Sequence, residues 1–183
     1  MTTKQRIWIT PTQVELNGTK LPVTAHGGAL LTELYRQHVN DYPKFFKMDE
    51  LSRLGFVAAE LLLQAEGDRH SDTDDRAVSL FNRCSSLCND RKYQATIADK
   101  NDYFPSPSIF VYTLPNIVTG EIAIRNRYYG ETSFYVLAAR DYSFMQSVVE
   151  ASFRDGTTRS ALFGWIDCED HDHFEAYMEL VVQ

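Results

Sequence analysis

The sequence predicts an α/β fold: a mostly parallel sheet of five strands with helices on both faces. Three observations predict it. Short apolar runs rich in β-branched and aromatic residues alternate with segments of helical apolar spacing. The strand–helix alternation repeats three times, which calls for parallel strands joined by crossover helices. Two final strand-like runs stand so close together that only an antiparallel hairpin can join them.

Arg6–Thr10 is the first strand, ended by Pro11, and Ala29–Val39 reads as a short helix. A longer helix is expected from Asp49, a good N-cap, to Glu66, with Gly67 as its stop. Leu51, Leu54, Val57, Ala58, Leu61, Leu62 and Ala65 cover a wide arc of it, whereas Arg53, Glu60 and Gln64 share one narrow stripe. This helix should pack on most of its circumference. Gly67–Asp75 is a charged loop and Ala77–Phe81 the second strand. Phe104–Pro115 contains three prolines and is expected to be neither regular helix nor central strand. Asn116 caps a helix through Asn126, and Ser133–Ala138 is the third strand. Asp141–Arg154 is a helix closed by Gly156. Ser160–Ile166 and His173–Val182 complete the sheet.

Composition narrows the function classes. The chain has 183 residues, 44% of them hydrophobic and 23% charged, with a formal net charge of -7. That length suits one domain with a core of its own, so a single domain over 1–183 is expected. The acidic balance argues against nucleic-acid binding, which needs clustered Lys and Arg. The longest apolar runs, such as Leu61-Leu62-Leu63, cannot span a bilayer, and the polar start Met1–Arg6 opens no signal core. A cytoplasmic protein that binds neither membrane nor nucleic acid is the expectation.

Cys84, Cys88 and Cys168 are an odd number and read as free thiols. Cys84 and Cys88 approach each other only if their segment is helical, and no second Cys or His pair completes a zinc site. Cys168 lies among Asp167, Glu169, His171 and His173. A Cys–His nucleophile pair or a metal bound by the histidines and acids is set against a solvated, acid-rich hairpin turn. The turn is preferred, because neighbouring acids raise a thiol pKa. No metal and no cofactor are expected.

A group of motifs at fixed spacing carries more. Lys47-Met48-Asp49 with Ser52-Arg53, Ser106-Pro107, Asn116, Gly120, Gly130, Asp155-Gly156 and the strand Ala161–Asp167 stand in order on the expected elements. Glu175–Val182 closes the series. Together they resemble the amino-terminal half of the β-ketoacyl synthases, which is half of a thiolase fold. The resemblance implies a sheet of order 3-2-1-4-5 with the last strand antiparallel. It places the third strand at an edge.

The resemblance also implies a cysteine nucleophile at the turn from the third strand into the following helix, where a helix N-terminus favours the thiolate. Counting forward from Gly130 and back from Gly156 both put that position at 139, and the residue is Ala139. The family's two histidines belong to its carboxyl-terminal half, which lies beyond this sequence. No condensing activity is therefore expected. The family's equivalent of Ser106–Pro115 helps to bound the acyl pocket, so Ile109, Phe110 and Tyr112 either line such a pocket or fill core.

The implied role is a non-catalytic partner subunit in fatty acid, aryl polyene or polyketide biosynthesis, comparable to a chain length factor. An acyl-chain or acyl carrier protein binding module is the alternative, with Arg125, Arg127 and Arg140 as candidate contacts to an acidic carrier. In ketosynthases the third strand pairs with its twin across a twofold axis. Phe134, Tyr135, Val136 and Leu137 are uncharged and strand-favouring, which suits either a homodimer or pairing with a full-length ketosynthase. In the next helix Ser143, Gln146, Ser147, Glu150 and Arg154 form a polar stripe, expected to face water or a polar interface.

Overall fold

The computed structural model of the chain describes residues 1–67, 69–101 and 103–183. Asp68, within the loop expected over Gly67–Asp75, lies outside the described residues.

Among the described residues seven strands form one sheet. They are β1 (Thr2–Thr10), β2 (Gln13–Leu16), β3 (Thr19–Leu21), β4 (Arg76–Asn82), β5 (Thr132–Val136), β6 (Ser160–Cys168) and β7 (Phe174–Val182). The order is β3-β2-β1-β7-β6-β4-β5. Pairing is parallel for β4 with β5 and β6, and antiparallel everywhere else. The sheet is thus mixed rather than mostly parallel, although β7 is antiparallel to its neighbours as expected.

The expected order needs correction. Of the five strands foreseen, the third and second stand where predicted, but the first lies beyond the fifth instead of in the centre. Burial gives the reason. Along β4 every residue from Ala77 to Asn82 is buried on both faces, and β6 is buried nearly throughout. In β1 only Ile7 and Ile9 are fully buried, and they alternate with partly exposed Trp8 and Thr10. Continuous burial suits the centre of a sheet, and alternation suits a strand with one covered face.

The β2–β3 hairpin was not foreseen. Leu16 pairs with Thr19, so Asn17-Gly18 is a two-residue loop, with φ of 54° and 81°. Asn-Gly is a strong sequence signal for such a turn, because both residues tolerate positive φ.

The helices are α1 (Gly28–His38), α2 (Glu50–Leu63), α3 (Leu87–Ala95), α4 (Pro107–Phe110), α5 (Ile117–Asn126) and α6 (Tyr142–Ser152). Asp49 caps α2 by accepting from the Ser52 N–H at 3.0 Å. Asp141 caps α6 by accepting from the Phe144 N–H at 3.0 Å. α3 was not foreseen; its sequence, LCNDRKYQA, lacks an apolar stripe. The proline-rich segment does hold one helical turn: Pro107 takes the first position, where no N–H is needed, and Ser106 caps it.

α1 packs on α2, and α2 lies across β1, β6 and β7 while α5 lies on β4 and β5. This face holds the larger core, with α2 buried almost all round as expected. On the opposite face α6 packs on β4 and β6 through Met145 and Val149, which share a second core with Phe153 just past the helix end and with Phe81, Phe163 and Trp165. Ser143, Ser147, Glu150 and Arg154 of its polar stripe are exposed, and Gln146 is half-buried.

Candidate functional site

Ala139 stands in the turn between β5 and α6, exposed along with Ala138 and Arg140. The turn begins where the Leu137 N–H donates to the Asn82 carbonyl at 2.8 Å. Leu137 to Phe144 line an open cavity of about 610 Å3 around it. The turn is pinned to β7. The Tyr142 hydroxyl donates to Glu179 at 2.8 Å, the Tyr177 hydroxyl donates to the same oxygen at 2.9 Å, and Thr3 donates to the other at 2.8 Å. Glu179 is buried, and these three donors satisfy both its oxygens. Burial and the Glu179 charge push both phenols above the ordinary tyrosine range. Arg140 pairs with Glu175 at 3.3 Å, and Glu175 also accepts from Trp8 at 2.9 Å. The methyl group of Ala139 offers this rigid turn no nucleophile.

β5 is the sheet edge beside the turn. Phe134 packs into the larger core, while Tyr135 and Leu137 pack against the α6 side. Val136 is 53% exposed. Three more exposed apolar residues lie on the elements flanking the strand: Ile124 on α5, Tyr129 in the segment leading in, and Phe144 on α6. Phe144 meets Tyr135 edge-on at 6.2 Å, and Tyr135 stacks on Phe81 at 5.1 Å.

The expected acyl-pocket residues differ in exposure. Phe110 is 51% exposed, and Val111 and Leu114 beside it are also exposed. Ile109 is half-buried and holds position through its carbonyl, which accepts from Asn89 at 2.7 Å. Only Tyr112 packs on the main core, its hydroxyl donating to Glu121 at 3.3 Å. Burial, with the Glu121 charge, raises its pKa.

Cys168 is not in a solvated turn. It is the last residue of β6, buried in the main core, and its pKa is raised. His173 pairs instead with Asp170 at 2.8 Å, and His171 Nδ1 lies 3.9 Å from Glu50. Cys84 lies outside α3, so its segment does not bring it onto Cys88 by helical spacing. Its sulfur, with Asp167 and Glu169, forms a group whose ligand atoms lie within 4.8 Å of one another. Arg83 already pairs with both carboxylates, at 3.6 Å from Asp167. The arginines considered for carrier docking are likewise engaged. Arg125 pairs with Asp41 and Glu60, Arg127 with Asp72, and Arg140 with Glu175.

No protein-family model and no curated protein matches the sequence. Solved structures do. A chain of the ketosynthase ApeO in complex with its chain length factor ApeC, from Xenorhabdus doucetiae, superposes on 100% of this chain and 79% of its own. The TM-score is 0.61 and the identity 17%. The ishigamide ketosynthase/chain length factor gives a TM-score of 0.69 at 16% identity, over 99% of this chain and 61% of that one. The chain has a ketosynthase-like fold. Among the described residues no helix is long and apolar enough to cross a membrane.

Proposed function

We propose that the chain is a non-catalytic ketosynthase-like subunit that pairs, through the β5 edge, with a full-length ketosynthase. Its place would be in a pathway that builds carbon chains of the polyketide, aryl polyene or fatty acid kind. The observation that carries the reading is Ala139 in the turn that follows an uncharged edge strand, with Val136 of that strand exposed and the exposed Phe144 set against its Tyr135. Acyl transfer needs a nucleophile, and alanine supplies none. An uncharged edge without proline or bulge is a template for another strand. Two of the solved structures that share the fold come from ketosynthase and chain length factor proteins, which supports a ketosynthase as the occupant over a twin chain.

Co-expression with the full-length ketosynthases of the same organism tests this. One of them should co-purify in equal amount. The purified chain alone, given acyl and malonyl carrier protein, should form neither acyl-enzyme nor condensation product. A stable homodimer that ignores every ketosynthase, or condensation by the chain alone, overturns the proposal.

A further inference from the structure

A second cavity, of about 380 Å3, lies where β1, β7 and the start of α6 meet. Thr3 and Arg6 come to it from β1, Tyr177 and Glu179 from β7, Arg140 from the turn and Tyr142 from α6. Arg140 and Tyr142 also line the cavity around Ala139, so the two open side by side.

The β1–β7 register sets Arg6 directly opposite Glu179, an arrangement in which a cross-strand ion pair is expected. No such pair forms. Glu179 is buried, and its oxygens accept from the hydroxyls of Thr3, Tyr142 and Tyr177. Among the described residues Arg6 makes no ion pair, and it is exposed. Its charge still reaches both phenols, where it opposes the rise in their pKa. Arg140 is held by Glu175 at 3.3 Å, an acid outside the lining, and its side chain is half-exposed.

The protons of this site are already assigned. Each phenol has one, and each spends it on Glu179. What remains to the phenol oxygens is acceptor capacity, whereas a guanidinium only donates. A ligand that satisfies both kinds of group needs oxygens that accept from arginine and a hydroxyl hydrogen that it can donate to a phenol oxygen.

We propose that Arg6, Arg140, Tyr142 and Tyr177 form a binding site for a small oxyanion that carries a hydroxyl group, of the phosphate or hydroxycarboxylate class. The planar guanidinium of Arg6 matches a pair of phosphate or carboxylate oxygens. The cavity has the volume of a small-molecule site. Glu179 serves as the floor: it orients both phenols and, saturated by three hydroxyls, leaves Arg6 to the ligand. A bound anion bridges β1 to the turn that carries Ala139, because Arg6 and Arg140 stand on the two sides of one cavity lining.

Isothermal titration calorimetry on the full chain, at neutral pH and constant ionic strength, tests the proposal. Inorganic phosphate is compared with sulfate, and glycolate with acetate; the second member of each pair lacks a hydroxyl hydrogen. Phosphate or glycolate should bind about tenfold more tightly than its counterpart, and the pair that shows the preference names the ligand class. Arg6→Gln should weaken that binding by about tenfold or more without changing the melting temperature, since Arg6 is exposed. Tyr177→Phe should erase the preference within the pair while arginine-driven binding of both members persists. Absence of binding by both phosphate and glycolate, equal affinity within both pairs, or wild-type affinity in Arg6→Gln overturns the proposal. The wild-type comparison decides the matter even if Tyr177→Phe does not fold.

Discussion

At one edge of the sheet β3 stops after three residues and carries Lys20; at the other, β5 runs for five residues without a charge. A short, charged strand offers little to pair with. β5 offers free backbone groups along its length, with apolar side chains on both sides. The difference teaches that the chain blunts one edge by itself and leaves the other open, the edge proposed above for a partner. Single substitutions at each edge can break or sharpen this contrast.

The largest effect should come from proline in β5, and it depends on the position. The Leu137 N–H donates inward to Asn82, and the Val78 N–H donates to the Glu131 carbonyl at 2.9 Å. Alternate N–H groups point the same way, so that of Tyr135 faces β4 and that of Val136 faces outward. Tyr135→Pro removes a ladder bond and the stack on Phe81, and should cost on the order of 3–5 kcal/mol in denaturant unfolding. Val136→Pro should stay within about 0.5 kcal/mol of the wild type but lose its partner in co-purification. A Val136→Pro chain that still holds its partner would remove β5 from the interface.

Glycines at the two edges should differ next. A Cβ on Gly130, where the chain enters β5, would clash with the Arg76 carbonyl and stand 2.8 Å from that of Asp74. Neither backbone oxygen can rotate away, so Gly130→Ala should cost about 1–3 kcal/mol. Gly18, in the turn beside β3, has open space around it and only a positive φ to satisfy. Gly18→Ala should cost about 1 kcal/mol. Thermal or urea unfolding of the two variants checks the order, and equal losses would mean that the edges are equally constrained.

The smallest effect lies away from both edges, in the β6–β7 hairpin. The hydrogen bond to Asp170 raises the His173 pKa above its usual value of about 6.5. Its contribution to stability is therefore full below about pH 6.5 and is lost as pH rises through the folded-state value. Nuclear magnetic resonance titration should find the His173 midpoint above that of an unfolded peptide. Partner capture should not change over the same range, because His173 is remote from β5 in the sheet order.

The sequence alone determined the α/β class, five of the seven strands among the described residues, the cap at Asp49, and the alanine at position 139. These are local matters: periodicity, cap chemistry and a count along the chain settle them. It also carried the signal for the Asn17-Gly18 turn. The alternation in β1 against continuous burial in β4 was legible too, and could have kept β1 out of the centre. Tertiary structure decided the rest. It chose β7 as the neighbour of β1, turned Phe110 outward, and moved Cys168 from an apparent surface turn into the core. It also paired Arg125, Arg127 and Arg140 with acids far away in sequence. Such outcomes depend on which segments meet across the sheet, and no window along the chain contains both partners.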